Sequence, residues 1–119
     1  MVASEHALKI AKIAAQAAYD KKGESIVLLD VSDHLVITDI FLIVSANNDR
    51  QVNAIVDGIE EALDAIDVDP IRREGQREGK WILLDYFDIV VHVQQDEERS
   101  LYDLERLWRD CPQIPVELV

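Results

Sequence analysis

From residue 7 onward, apolar side chains recur at helical spacing. Ala7, Ile10, Ala14 and Ala17 line one side, with Ala11 and Ala18 beside them. Ser4 stands where an N-cap is expected and Gly23 where a helix stops, so the first helix covers about residues 4–22. Its small side chains let it lie close against a neighbour. "SIVLLDV" (25–31) reads as a short strand. "HLVITDIFLIVSA" (34–46) is almost continuously apolar, the pattern of a central strand covered on both faces. Asn48 is placed to cap the next helix, with Gln51 at the reciprocal capping-box position. Val52, Ile55, Val56, Ile59, Leu63 and Ile66 form its apolar stripe. "DVDPIRREG" (67–75) ends that pattern and leaves room for a short edge strand at about 70–73, where proline is tolerated. If the strands of segment 34–73 are parallel, the crossover between them is right-handed.

A hairpin follows. "KWILLD" (80–85) turns through "DYFD" and returns as "DIVVHVQ" (88–94). Strand side chains alternate between faces. Ile82, Leu84, Ile89, Val91 and Val93 form an all-aliphatic set that belongs beneath helices. The opposite set is mixed: Trp81, Leu83, Val90 and His92, with Asp88 at its end. A face of that composition suits a partner surface, because tryptophan is favoured at interface hot spots. It also suits burial under the last helix, whose Leu101, Leu104, Leu107 and Trp108 in "DEERSLYDLERLWRD" (96–110) read as inward-facing. Both readings stand at this point. That last segment is one helix or two short ones, and "CPQIPVELV" (111–119) is an irregular tail. The order αββαβββα predicts a single α/β domain over 1–119, a mixed sheet packed with helices.

Charge sharpens the picture. The 119 residues carry 24 acids and 12 bases, a net of −12. Residues 85–119 alone hold nine acids and three bases. Phosphate backbones repel such a chain, so little direct nucleic-acid contact is expected. The basic cluster Arg72, Arg73, Arg77 and Lys80 is interrupted by Glu74 and Glu78. A basic protein is the simplest complement, although the acidity equally serves solubility. No apolar run is long enough for a membrane span, no apolar leader precedes the first helix, and Cys111 is the one cysteine. The expectation is a cytoplasmic protein.

Catalytic chemistry is not legible. His6, His34 and His92 have no metal-ligand spacing, Cys111 has no CxxC partner, and no glycine-rich phosphate loop exists. No cofactor or metal is expected. Asp39, Asp85 and Asp88 are the carboxylates that a magnesium-dependent nucleotidyltransferase would use. Turn geometry or a surface contact accounts equally well for Asp85 and Asp88. Asp39 is placed to bond backbone amides near the "SANNDR" helix start. A homodimeric interaction module using the hairpin face is the other alternative.

The run "TDIFLIVSANNDRQVNAI" (38–55), then "WILLDYFDIVVHV" (81–93), then "ERSLYDLERLW" (98–108), resembles the ribosomal silencing factor, or Iojap-like, family. The resemblance covers nearly the whole chain and rests on several motifs in order. It implies a nucleotidyltransferase-like fold without the catalytic apparatus, and a non-enzymatic role. It also implies binding to the large ribosomal subunit at the basic subunit-interface protein numbered fourteen. A factor seated there blocks joining of the small subunit and lowers translation when nutrients are limiting. Carried over by position, Trp81, Leu83, Asp88, Val90 and His92 form the contact, and Asp85, Glu97 and Glu98 lie at its rim. Two departures stand out. Phe87 and Ala46 occupy positions where the family often has glycine, so the hairpin turn and the loop before the second long helix differ in detail.

Overall fold

A computed structural model describes residues 3–119. Five strands form one mixed sheet in the order β1 (Glu24–Asp30), β2 (Ile40–Ala46), β5 (Ile89–Gln95), β4 (Trp81–Asp85), β3 (Arg72–Glu74). Only β2 and β5 run parallel; the other neighbours are antiparallel. The expected crossover partner of β2 is therefore not its neighbour, because β5 and β4 lie between β2 and β3.

Helices α1 (Glu5–Asp20) and α2 (Asp49–Asp64) cover one face and supply the main core. The aliphatic hairpin set, Ile82, Leu84, Ile89, Val91 and Val93, is fully buried there, as alternation predicts. Ser4 caps α1 by accepting from the Ala7 N–H at 3.0 Å. Two distant carboxylates hold the same end. Asp30 accepts from Ala3 N at 3.0 Å and Asp39 from Ser4 N at 2.9 Å. Asp39 thus anchors the start of α1, not the loop before α2 as expected. A helix N-terminus gathers unpaired amides, and strand β2 begins beside it.

The end of α1 corrects another expectation. Gly23 N donates to Ala18 O at 2.8 Å and Lys22 N to Tyr19 O at 2.9 Å, the paired bonds of a Schellman motif. The left-handed residue is Lys22, at φ 70°, and not Gly23. Glycine is required at 23 for proximity: a Cβ there would sit 2.7 Å from Val44 Cγ1.

The apolar run 34–46 becomes a strand only from Ile40. Its first half folds back, with His34 N and Leu35 N donating to Val31 O, and leaves Val36 and Ile37 exposed. Asn48 caps α2 by accepting from Gln51 N at 2.9 Å; the Gln51 side chain accepts from Asn47 N, one residue beyond the N-cap that the usual box engages. Ile66 lies beyond α2 and is exposed. The segment after β5 forms two short helices, α3 (Asp96–Tyr102) and α4 (Leu104–Leu107), divided at Asp103, φ 39°. Leu104 is buried and Trp108 half-buried, but Leu101 and Leu107 point to solvent, against expectation. The tail is ordered by pairing: Asp30 N donates to Pro112 O and Ile114 N to Leu28 O, which shields the β1 edge. Among the described residues, no helix is long and apolar enough to cross a membrane.

Candidate protein-docking face

The second face of the sheet positions the mixed hairpin set. Pairing registers give three rows of side chains across it. One row runs Leu29, Phe41, Val90, Asp85, Arg72, and the next runs Val27, Ile43, His92, Leu83, Glu74. A third runs Ser45, Gln94, Trp81. In the first two rows the β1–β2 side is apolar and packs with Leu104, Trp108 and Cys111 in a second, smaller core, and the β4–β3 side ends in charge. The third row is polar at Ser45 and Gln94 and ends in Trp81. The face is therefore half core and half open surface.

Trp81 marks the boundary. It is half-buried, and its indole Nε1 donates to Nδ1 of His92 at 3.2 Å. Tyr102, on α3, lies against the indole with ring centroids 4.9 Å apart. His92 packs edge-on against Phe41 at 4.9 Å, and Phe41 against Trp108 at 5.3 Å. Aromatic contact thus runs from the exposed Tyr102 through Trp81 into the small core. The indole is neither fully open nor sealed: Tyr102 lies against it, and it packs against the small core that contains Leu104.

His92 is 5% exposed, so it supports the indole from beneath and is not itself surface. Burial lowers its pKa to about 4, leaving the ring neutral at pH 7. Because Nδ1 accepts from the indole, the proton sits on Nε2, which has no hydrogen-bond partner among the described residues. The fully buried Gln94 amide also lacks a hydrogen-bond partner among the described residues.

Helix α3 is tied down through Arg99. Its guanidinium donates to Ser45 Oγ at 2.8 Å and pairs with Glu105 at 2.8–2.9 Å. Arg99 and Tyr102 are three residues apart and so share the sheet-facing side of α3. The sequence reading overlooked both, although that i, i+3 spacing was the available signal.

The other expected site residues fall as follows. Leu83 and Val90 are half-buried; Leu83 shares the cleft with Trp81, whereas Val90 stands opposite Asp85 at the other end of the hairpin. Glu98, half-buried, joins Glu74, Glu78, Lys80, Trp81 and Leu83 around a cleft of about 380 Å³. Glu97 is exposed on the first turn of α3. Asp85 accepts from Phe87 N at 2.9 Å and lies 3.4 Å from Arg72, so its first task is to shape the turn. Asp88 lies 3.6 Å from His6 at the same end.

Asp39, Asp85 and Asp88 each have other partners. Among the described residues, no group of three or more His, Cys, Asp or Glu side chains is placed to hold a metal ion. What the face offers chemically is an indole with apolar neighbours and a carboxylate rim.

The family model described as "Ribosomal silencing factor during starvation" matches residues 4–119. The ribosomal silencing factor of Bacillus subtilis is 44% identical over 103 residues, 87% of each chain. That of Halalkalibacterium halodurans is 36% identical over 109 residues, 92% of this chain and 93% of its own. A Chromobacterium violaceum protein of known crystal structure superposes with a TM-score of 0.83 at 34% identity, over 94% of this chain and 92% of its own.

Proposed function

The chain belongs to the ribosomal silencing factor family, and from that premise we propose that it docks on the large ribosomal subunit through the Trp81 face. The contact is the basic subunit-interface protein numbered fourteen, and the effect is steric: the small subunit loses its docking surface and translation in the cytoplasm falls. One observation carries the reading. A half-buried indole sits at the start of β4 with Leu83 beside it, and Glu74, Glu78 and Glu98, with Lys80, line the cleft around it. An apolar anchor within an acidic rim complements a basic protein surface and repels bare RNA.

Occlusion needs no chemistry from the protein, so the role is non-enzymatic. A contact of roughly 600–1,000 Å² per partner suffices for it. The nucleotidyltransferase alternative lacks support, since its three carboxylates serve the α1 start and the hairpin turn.

The test is cosedimentation with purified large subunits, followed by addition of small subunits. The wild-type chain should pellet with large subunits and reduce joining. Trp81→Ala should weaken binding by about 2 kcal/mol or more while circular dichroism stays native. An unfolded Trp81→Ala, or a wild-type chain that stays in the supernatant, sinks the proposal.

A further inference from the structure

At the end of β4 away from Tyr102, three large apolar side chains stand in solvent. Val36 is 100% exposed, Ile37 67% and Phe87 54%. Their two segments are bonded together: Thr38 Oγ1 donates to Phe87 O at 3.1 Å, and Asp39 N to Asp88 O at 3.0 Å. The fold does not need these side chains. Phe87 holds φ 75°, a left-handed conformation that is costly for a bulky residue and free for glycine. Asp85 Oδ1, accepting from Phe87 N, stabilises that conformation. A ring kept in water on strained backbone contributes little to folding, and such strain persists chiefly where function uses it.

The surroundings select the kind of partner. Asp39, Asp85 and Asp88 lie at this end, against Arg72, which Glu74 also pairs at 3.4 Å, and the exposed His6. The excess of carboxylate disfavours RNA and favours an apolar surface carrying lysine or arginine. The patch lies at the far end of the strand that carries the docking face: Trp81, Leu83 and Asp85 share the outer side of β4, and Phe87 stands in the turn that follows Asp85.

We infer that Val36, Ile37 and Phe87 form a second apolar foot that grips the same basic ribosomal protein as Trp81, with Asp85 between the two contacts. This rests on the docking reading above. Two separated feet fix orientation as well as affinity, which steric exclusion of a subunit requires.

The experiment compares pelleting with purified large subunits for the wild-type chain, Trp81→Ala, the double variant Val36→Ser/Ile37→Ser, and Phe87→Gly. Melting temperature and free-chain sedimentation are recorded for each. Both foot variants should weaken binding about ten-fold or more. Phe87→Gly should melt no lower than wild type, because glycine relieves the backbone strain. Foot variants that bind like wild type while Trp81→Ala loses binding overturn the foot and leave the Trp81 reading intact. Foot variants that dissociate a dimer of the free chain yet bind subunits normally assign the patch to a second copy, and also overturn it. A wild-type chain that does not pellet removes the docking reading, and this extension with it.

Discussion

The indole of Trp81 and the imidazole of His92 sit directly across no strand pair, yet they are joined by a 3.2 Å hydrogen bond. His92 is opposite Leu83, and Trp81 opposite Gln94, so the bond runs diagonally across β4 and β5. It fixes the indole's orientation at the edge of the small core. It also requires a neutral imidazole, because only an unprotonated Nδ1 can accept.

That requirement predicts an acid sensitivity. Burial sets the His92 pKa at about 4, against an ordinary 6.5. Between those values the unfolded chain binds more protons than the folded one, so stability falls as pH drops through this window. Above 6.5 the contribution is complete. The difference corresponds to about 3 kcal/mol. Urea melts at pH 7 and pH 4.5 should show the loss, and His92→Gln should flatten its slope over that range. A slope unchanged in His92→Gln assigns the effect elsewhere.

Gly75 should be intolerant of any side chain. It holds φ 89°, and a Cβ there would lie 1.9 Å from the Trp81 carbonyl oxygen. Gly75→Ala must therefore displace the start of β4 or break the β3 pairing, at a cost of about 3 kcal/mol or more. Thermal melts would measure it, and subunit binding should fall in step because Trp81 moves.

The end of α1 separates two roles of glycine. Lys22→Gly should stabilise by about 0.5–1 kcal/mol, since residue 22 is the left-handed one. Gly23→Ala should destabilise despite its ordinary backbone, because the new methyl meets Val44 Cγ1 and Ala18 O. Opposite shifts in denaturation midpoint check the pair; equal signs would refute the assignment.

Arg99→Ala should loosen α3. It removes the bond to Ser45 and strands Glu105, costing about 1–3 kcal/mol. Tyr102 then leaves the indole, so Trp81 fluorescence should shift red and quench more readily. Unchanged quenching would show that Tyr102 stays in place without Arg99.

Much of the scaffold was legible from local pattern. Period-two alternation placed Ile82, Leu84, Ile89, Val91 and Val93 correctly, because burial on one face forces that spacing. Ser4 and Asn48 announced their helices because cap bonds span only three residues. The run before Ile40 was misread for the reverse reason: "HLVI" is as apolar as a strand, and only its fold-back onto Val31 leaves Val36 and Ile37 in water.

The candidate site divides along the same line. Sequence alone determined that Trp81, Leu83, Val90 and His92 share a sheet face, since alternation is a property of any extended strand. It could not determine how much of that face is covered. Leu101, Leu104 and Leu107 would share one side of an unbroken helix, but Asp103 at φ 39° interrupts it. The break turns Leu101 and Leu107 outward and brings Tyr102 over the indole. That choice depends on Arg99 reaching Ser45, 54 residues earlier in the chain. A contact so distant in sequence leaves no local periodicity, and only the tertiary structure decides it.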